Sequence, residues 1–319
     1  MHPLVPVLAV LSCLNTEISD VRLLQEYRIS RYAPVATVSL AADGGRGCAA
    51  DENYNLILFD RHGFVNLTTK HTLDATAASM APDGTQLALA GSANRLAVLG
   101  TETLKPVATK PMKNTVRRLD WLPSGKYLIA AMDEEEHKAL LPWDGTHFGA
   151  ATTDLKIPAF EQLVFAPDRD AFLFSVQPDR WRYVRAAAGR FRQHDLDFAT
   201  RGVRFVTVLG LSRTGVMVTA EDNRSHLRSV AAPDQRTALP DDFSRASQFL
   251  GGTPHYAEVR GQSLRFTNVA TGRRHVKALG GAAAPTVLCC AASGTALAVG
   301  FEDGWVHLYE VRMRFGVPR

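Results

Sequence analysis

The chain has 319 residues, of which 46% are hydrophobic and 21% charged, and its 36 basic against 32 acidic residues leave a formal charge of +4. That balance excludes a disordered chain, and so small an excess does not by itself make a nucleic-acid binder. No apolar run reaches the roughly eighteen residues that a membrane-spanning helix requires. The four cysteines, Cys13, Cys48, Cys289 and Cys290, form no CxxC pair, so they read as buried free thiols in a reducing compartment.

The first apolar stretch is Leu4 to Leu14. No Lys or Arg precedes it, Pro3 and Pro6 interrupt it, and it lacks an Ala-x-Ala cleavage signature. Residues 1–19 are therefore set apart as an N-terminal apolar segment without an assigned role, and residues 20–319 as a single domain. The alternative is a leader cleaved at or before Cys13, which would make this an envelope or secreted protein that senses a ligand.

After a strand candidate at Asp20 to Ile29, the chain repeats. Turns at Asp43-Gly44, Asp83-Gly84, Ser124-Gly125, Asp168-Arg169, Thr214-Gly215, Gly251-Gly252 and Ser293-Gly294 recur at spacings of 37 to 46 residues. A fixed period of this size is the mark of a repeat architecture. Before each turn lies a short apolar run: Val35 to Leu40, Ala75 to Met80, Val116 to Trp121, Phe160 to Phe165, Phe205 to Leu211, Ser244 to Leu250 and Thr286 to Ala291. Such runs suit strands buried on both faces.

Third strands alternate, as in Asn55 to Asp60, Ser263 to Val269 and Trp305 to Glu310. Fourth strands are weaker and more polar: Val65 to Thr69, Val107 to Lys110, Phe148 to Leu155, Phe191 to Leu196, Thr237 to Leu239 and His275 to Leu279. Polar outer strands are expected at exposed sheet edges. The seventh unit lacks a fourth strand, and Asp20 to Ile29 stands at the right spacing to supply one.

The segments Ala81-Pro82-Asp83-Gly84, Pro142-Trp143-Asp144, Leu264 to Gly272 and Phe301 to Glu310 resemble WD40-type β-propeller repeats, and the likeness covers Pro34 to Arg312. The sequence departs from that pattern in having one literal Trp-Asp, no Gly-His before any unit, and Arg169 in place of a turn Gly. The resemblance implies an all-β, seven-bladed β-propeller closed by the N-terminal strand. An eight-bladed count, with Leu4 to Leu14 and Val21 to Ile29 as remnants of another unit, is the alternative. It further implies a cytoplasmic, non-catalytic scaffold or adaptor that binds a protein or peptide within a larger complex, with no cofactor.

Two sets of residues are candidates for partner binding. Loops between second and third strands carry Asp51-Glu52, Asp133-Glu134-Glu135-Glu136, Glu221-Asp222 and Glu302-Asp303, which would form a negative rim able to steer a basic partner. Against this, acids also serve tight turns. The second set is an Arg cluster in the fourth unit, Arg180, Arg182, Arg185, Arg190, Arg192, Arg201 and Arg204, interleaved with Trp181, Tyr183, Phe191, Phe198 and Phe205. With period two, Arg180 and Arg182 share one face, and Arg190 and Arg192 share one face of the next strand. If the two Arg faces match, like charges meet across the ladder. An acidic protein surface would relieve them, nucleic acid is the alternative, and pairing with Asp195 and Asp197 is the bland reading.

An enzymatic role finds little support. The His residues are scattered without HxH or HExxH spacing, and no GxSxG, GxxxxGK[ST] or GxGxxG occurs in a strand and helix context. No metal site is expected.

Overall fold

The computed structural model describes residues 16–67, 75–91, 94–132, 137–150, 157–158, 162–166, 169–177, 180–187, 190–198, 206–212, 214–221, 224–239, 247–281 and 283–315. These residues form an all-β, seven-bladed β-propeller of seven four-stranded antiparallel sheets. The segment Leu4 to Leu14 and Cys13 lie outside the described residues.

Sheet 1 consists of β2 (Val35–Leu40), β3 (Arg46–Asp51), β4 (Leu56–Asp60) and β5 (Phe64–Asn66). Sheet 2 consists of β6 (Ala75–Met80), β7 (Gln86–Gly91), β8 (Arg95–Gly100) and β9 (Pro106–Pro111). In sheet 3 the order is β10 (Val116–Trp121), β11 (Tyr127–Met132), β12 (His137–Pro142) and β13 (Ile157–Pro158). Sheet 4 is built from β14 (Leu163–Phe165), β15 (Ala171–Gln177), β16 (Arg180–Ala187) and β17 (Arg190–Asp197). β18 (Thr207–Leu211), β19 (Val216–Glu221), β20 (Arg224–Ser229) and β21 (Ala232–Ala238) make sheet 5. β22 (Ser247–Phe249), β23 (His255–Arg260), β24 (Ser263–Asn268) and β25 (Arg274–Ala278) make sheet 6.

Sheet 7 joins the chain ends. Its order is β1 (Thr16–Arg28), β28 (Trp305–Phe315), β27 (Ala296–Phe301) and β26 (Pro285–Cys290), so the N-terminal strand fills the place for which the C-terminus has no candidate. β1 starts at Thr16, four residues before the expected strand, so the boundary drawn at residue 19 falls inside a sheet. The fourth strand of sheet 3 also differs from expectation. It lies at Ile157–Pro158, and Phe148 instead bridges Trp143 across a tight turn.

The chain divides into two compact units. One contains residues 22–159 and 282–310, the other residues 160–281 with both chain termini. In the first, β26, β2, β6 and β10 lie side by side, and apolar cores fill the spaces between neighbouring sheets. Tyr27, Val38, Ile57, Phe59, Ala298 and Leu308 pack between sheets 7 and 1, and Ala88, Val98, Leu119, Trp121 and Trp143 between sheets 2 and 3. In the second, β14, β18 and β22 are neighbours, with Trp181, Phe198, Val208 and Met217 between sheets 4 and 5. Small residues in β6 and β7 let sheets approach closely, and the bulky third-strand residues fill what remains.

The repeating turn has a hydrogen-bond signature. The N–H of Gly44 donates to Ala41, that of Gly84 to Ala81, that of Gly125 to Leu122 and that of Gly294 to Ala291, each at 2.8–2.9 Å. All four glycines have φ near +70°, a conformation that glycine adopts without steric cost. Adjacent turns also bond to one another, Ser293 N–H to the Ala42 carbonyl and Ala42 N–H to the Pro82 carbonyl, both at 2.7 Å.

The turn at Gly304 ties the end of β1 to sheet 7. Gly304 has φ +79°, its carbonyl accepts from Ile29 N–H at 2.9 Å, and a Cβ there would lie 2.4 Å from the Ser30 carbonyl oxygen. Gly304→Ala is expected to cost about 1–3 kcal/mol through backbone strain and the loss of this close approach. Chemical denaturation of the variant checks it, and an unchanged midpoint would show that the junction gives way freely.

Candidate functional site

The acidic loops divide into two kinds. Asp51 is buried and committed to its own hairpin turn: Oδ1 accepts from the N–H groups of Asn53 and Asn55 at 2.9 and 2.8 Å, and Oδ2 from Asn55 Nδ2 at 2.7 Å. Glu52, Glu302 and Asp303 are exposed. The Glu52 N–H donates to the Pro34 carbonyl and the Glu302 N–H to the Ala284 carbonyl, which anchors each loop to the chain entering its own sheet. Asp133, Glu134, Glu135, Glu136 and Asp222 lie outside the described residues.

Glu221 is buried inside an ion cluster. Arg228, whose side chain is fully buried, donates from Nη2 and Nε to Glu221 Oε1 at 2.6 and 3.2 Å, and Arg236 Nη1 donates to Oε2 at 2.6 Å. His226 Nδ1 lies 3.3 Å from Oε1, and the Arg228 guanidinium stands over the Phe198 ring, 5.3 Å from its centroid. Burial pushes the Glu221 carboxyl up, but Arg228, His226 and Arg236 more than reverse this and hold it below the usual carboxylate range. A side chain so enclosed holds sheet 5 together and is not on offer to a partner.

The literal Trp-Asp pair is also structural. Trp143 Nε1 donates to Gln86 Oε1 at 2.9 Å and its ring packs against Trp121 and Phe148, while Asp144 Oδ1 accepts the N–H groups of Thr146 and His147. These amide bonds lower the Asp144 carboxyl below its ordinary value.

The Arg cluster is sorted by strand register. β16 and β17 pair with Arg180 opposite Asp197, Arg182 opposite Asp195, Arg185 opposite Arg192 and Ala187 opposite Arg190. Directly opposite residues share a face and neighbours along a strand alternate. Arg180 and Arg182 therefore lie on one face with Asp195 and Asp197, and Arg190 and Arg192 on the other with Arg185, Tyr183 and His194. The four arginines do not form one surface. Arg182 grips Asp195 through Nε and Nη2 at 2.5 and 3.1 Å, and that hydrogen bond holds the Asp195 carboxyl below its ordinary value.

What remains is the outer end of the hairpin. Arg185, Arg190 and Arg192 are exposed, and among the described residues none of the three makes an ion pair or a side-chain hydrogen bond. Two of them sit directly opposite each other. The β17 strand is outermost in its sheet and exposed at Arg190, Arg192, Gln193, His194, Asp195 and Asp197. Sequence reasoning named these arginines without finding the pairing, because strand register is set by turn geometry and leaves no mark in composition.

Among the described residues no three His, Cys, Asp or Glu side chains converge to hold a metal ion, and no helix is long and apolar enough to cross a membrane. Burial raises the thiols of Cys48, Cys289 and Cys290, that of Cys289 to about 11, which leaves them protonated and unreactive. Comparison with protein families finds no family that matches this chain, and no curated protein matches it either.

Proposed function

We propose that this chain is a WD40-like propeller that works without catalysis, as an interaction module of a larger assembly, and that it docks an acidic protein segment on the outer hairpin of sheet 4. The observation that carries this reading is the directly opposed pair Arg185 and Arg192, extended by Arg190. Like charges directly opposite in a ladder disfavour the sheet, and carboxylates from a partner would relieve them while forming bidentate guanidinium bonds. A preformed sheet edge loses little ordering entropy on binding. The exposed main chain of β17 also suits an extended peptide.

The test uses a Glu-rich peptide and a single-stranded oligonucleotide of equal charge as probes. The peptide is expected to bind the parent protein, more weakly as salt rises. Arg192→Glu should abolish that binding and at the same time raise the unfolding free energy by up to about 1 kcal/mol, because it sets an opposite charge across from Arg185. A variant that keeps its affinity for the peptide overturns the surface. Tighter binding of the oligonucleotide than of the peptide overturns the choice of partner.

A further inference from the structure

Each sheet ends in an outer strand, and six of the seven edges are blunted in ways that keep strands from pairing with other chains. β5, β13 and β25 are three, two and five residues long. β9 begins and ends on proline, at Pro106 and Pro111, and β21 carries Pro233 inside a break in its register with β20. β1 is longer, at 13 residues, but Glu17 is ion-paired to Arg273, and Gln25 and Tyr27 donate to the Arg61 and Asp60 carbonyls at the end of β4. β17 has none of these devices among the described residues: it is eight residues long, contains no proline and keeps an unbroken register with β16 from Arg180 to Ala187.

We propose that the acidic partner adds to sheet 4 as a fifth strand along β17, and that it is recognised by acids at alternate positions, a pattern of the form Glu-x-Glu. The proposal rests on the reading of this hairpin as an acid-binding surface, and adds the conformation and the sequence pattern of the partner. Strand pairing sets the phase. Residues directly opposite across a ladder share a face, and the faces alternate along each strand. On β17, Arg190, Arg192 and His194 lie on one face and Phe191, Gln193 and Asp195 on the other. A strand laid along this edge therefore places every second side chain beside Arg190, Arg192 or His194.

Two acids separated by one residue meet both exposed guanidinium groups, Arg190 and Arg192. Adjacent acids cannot. One of them falls on the opposite face, beside half-buried Phe191, or beside Asp195, a carboxylate already gripped by Arg182. The intervening positions suit Thr or Val, which favour the strand conformation. Arg185 stands opposite Arg192 on β16, so an acid opposite Arg192 on the added strand would end a row of like charges with the opposite sign. The main-chain groups of the partner supply the ladder bonds that β17 lacks on its outer side.

Fluorescence anisotropy with the full chain, at low and fixed ionic strength, compares two end-capped, labelled peptides of equal length, charge and composition, Thr-Thr-Glu-Thr-Glu-Thr-Thr and Thr-Thr-Glu-Glu-Thr-Thr-Thr. The first is expected to bind about fivefold more tightly, the upper end for one correctly placed cross-strand ion pair. Only one edge of the peptide strand faces β17, and main-chain N–H groups point to the two edges alternately. N-methylation of its two Glu residues and N-methylation of the Thr after each Glu should therefore act differently, one pattern weakening binding more than tenfold and the other leaving it within about twofold. Equal affinity of the two isomers, or equal effects of the two methylation patterns, would overturn strand addition. If both isomers are then still lost in Arg192→Glu, the basic surface itself stands. No saturable binding of either isomer would overturn the surface and the strand together.

Discussion

Replacing Arg228 with Met is expected to lower the unfolding free energy by about 3–5 kcal/mol, the range for removing one partner of a buried ion pair. The cause is the carboxylate left behind. Glu221 has a fully buried side chain, and without Arg228 it keeps only Arg236, which is 43% exposed and screened by water, and His226, an imidazole that burial holds below its ordinary value. Arg228 also donates to the Pro233 carbonyl, which would lose its partner, and its stack on Phe198 would become a plain apolar contact. The double variant Glu221→Gln with Arg228→Met should recover more than half of the loss, since a buried amide costs far less than a buried charge. Urea unfolding of the two variants measures this. A loss below about 1 kcal/mol in the single variant would mean that water reaches the cluster and that its charges are not buried in solution.

Acidification should destabilise the fold before most carboxylates titrate, and His255 is the main reason. Its folded value near 4 lies below the ordinary 6.5. As pH falls through 6.5 the unfolded chain takes up the proton first, so stability is full above 6.5, declines down to about 4, and is flat below. The full contribution is about 3 kcal/mol at 1.36 kcal/mol per pH unit, and about 2 kcal/mol is gone by pH 5. Burial also lowers His226 and His307, which adds to the loss in the same direction. Glu221 and Asp195, held below their ordinary values, act in a separate window as pH falls through the carboxylate range. Urea midpoints at pH 7.5, 6 and 5 should fall steeply in the parent protein and less steeply in His255→Gln. Parallel decline in both would remove His255 from the account.

Inner strands of the first three units were legible to the residue. Val35–Leu40, Ala75–Met80 and Val116–Trp121 occur as read, because a short apolar run bounded by Asp-Gly or Ser-Gly turns has one compatible strand phase. In units four to six the described inner strands begin at Leu163, Thr207 and Ser247, and the expected starts at Phe160, Phe205 and Ser244 lie outside the described residues. The fourth strand of unit three was misplaced because Phe148, apolar and near a turn, is drawn to Trp143 instead of to the sheet edge.

The candidate sites were less legible than the fold. Asp51 and Glu221 occupy equivalent loop positions and read alike, yet one caps its own turn and the other neutralises a buried Arg. Each depends on what reaches it from residues up to fifteen positions away, such as Arg236. His255 counted as one more scattered histidine, and Thr16 to Ile18 fell before the expected strand.

The sequence by itself determined seven sheets, their turns and the pairing of the two chain ends, because these follow from local periodicity, glycine conformation and the need to protect an open sheet edge. Which charges face a partner and which face each other was decided only by tertiary structure. A shift of one residue in strand register moves every side chain to the opposite face, and the burial of Glu221 or His255 comes from segments that sequence periodicity does not place beside them.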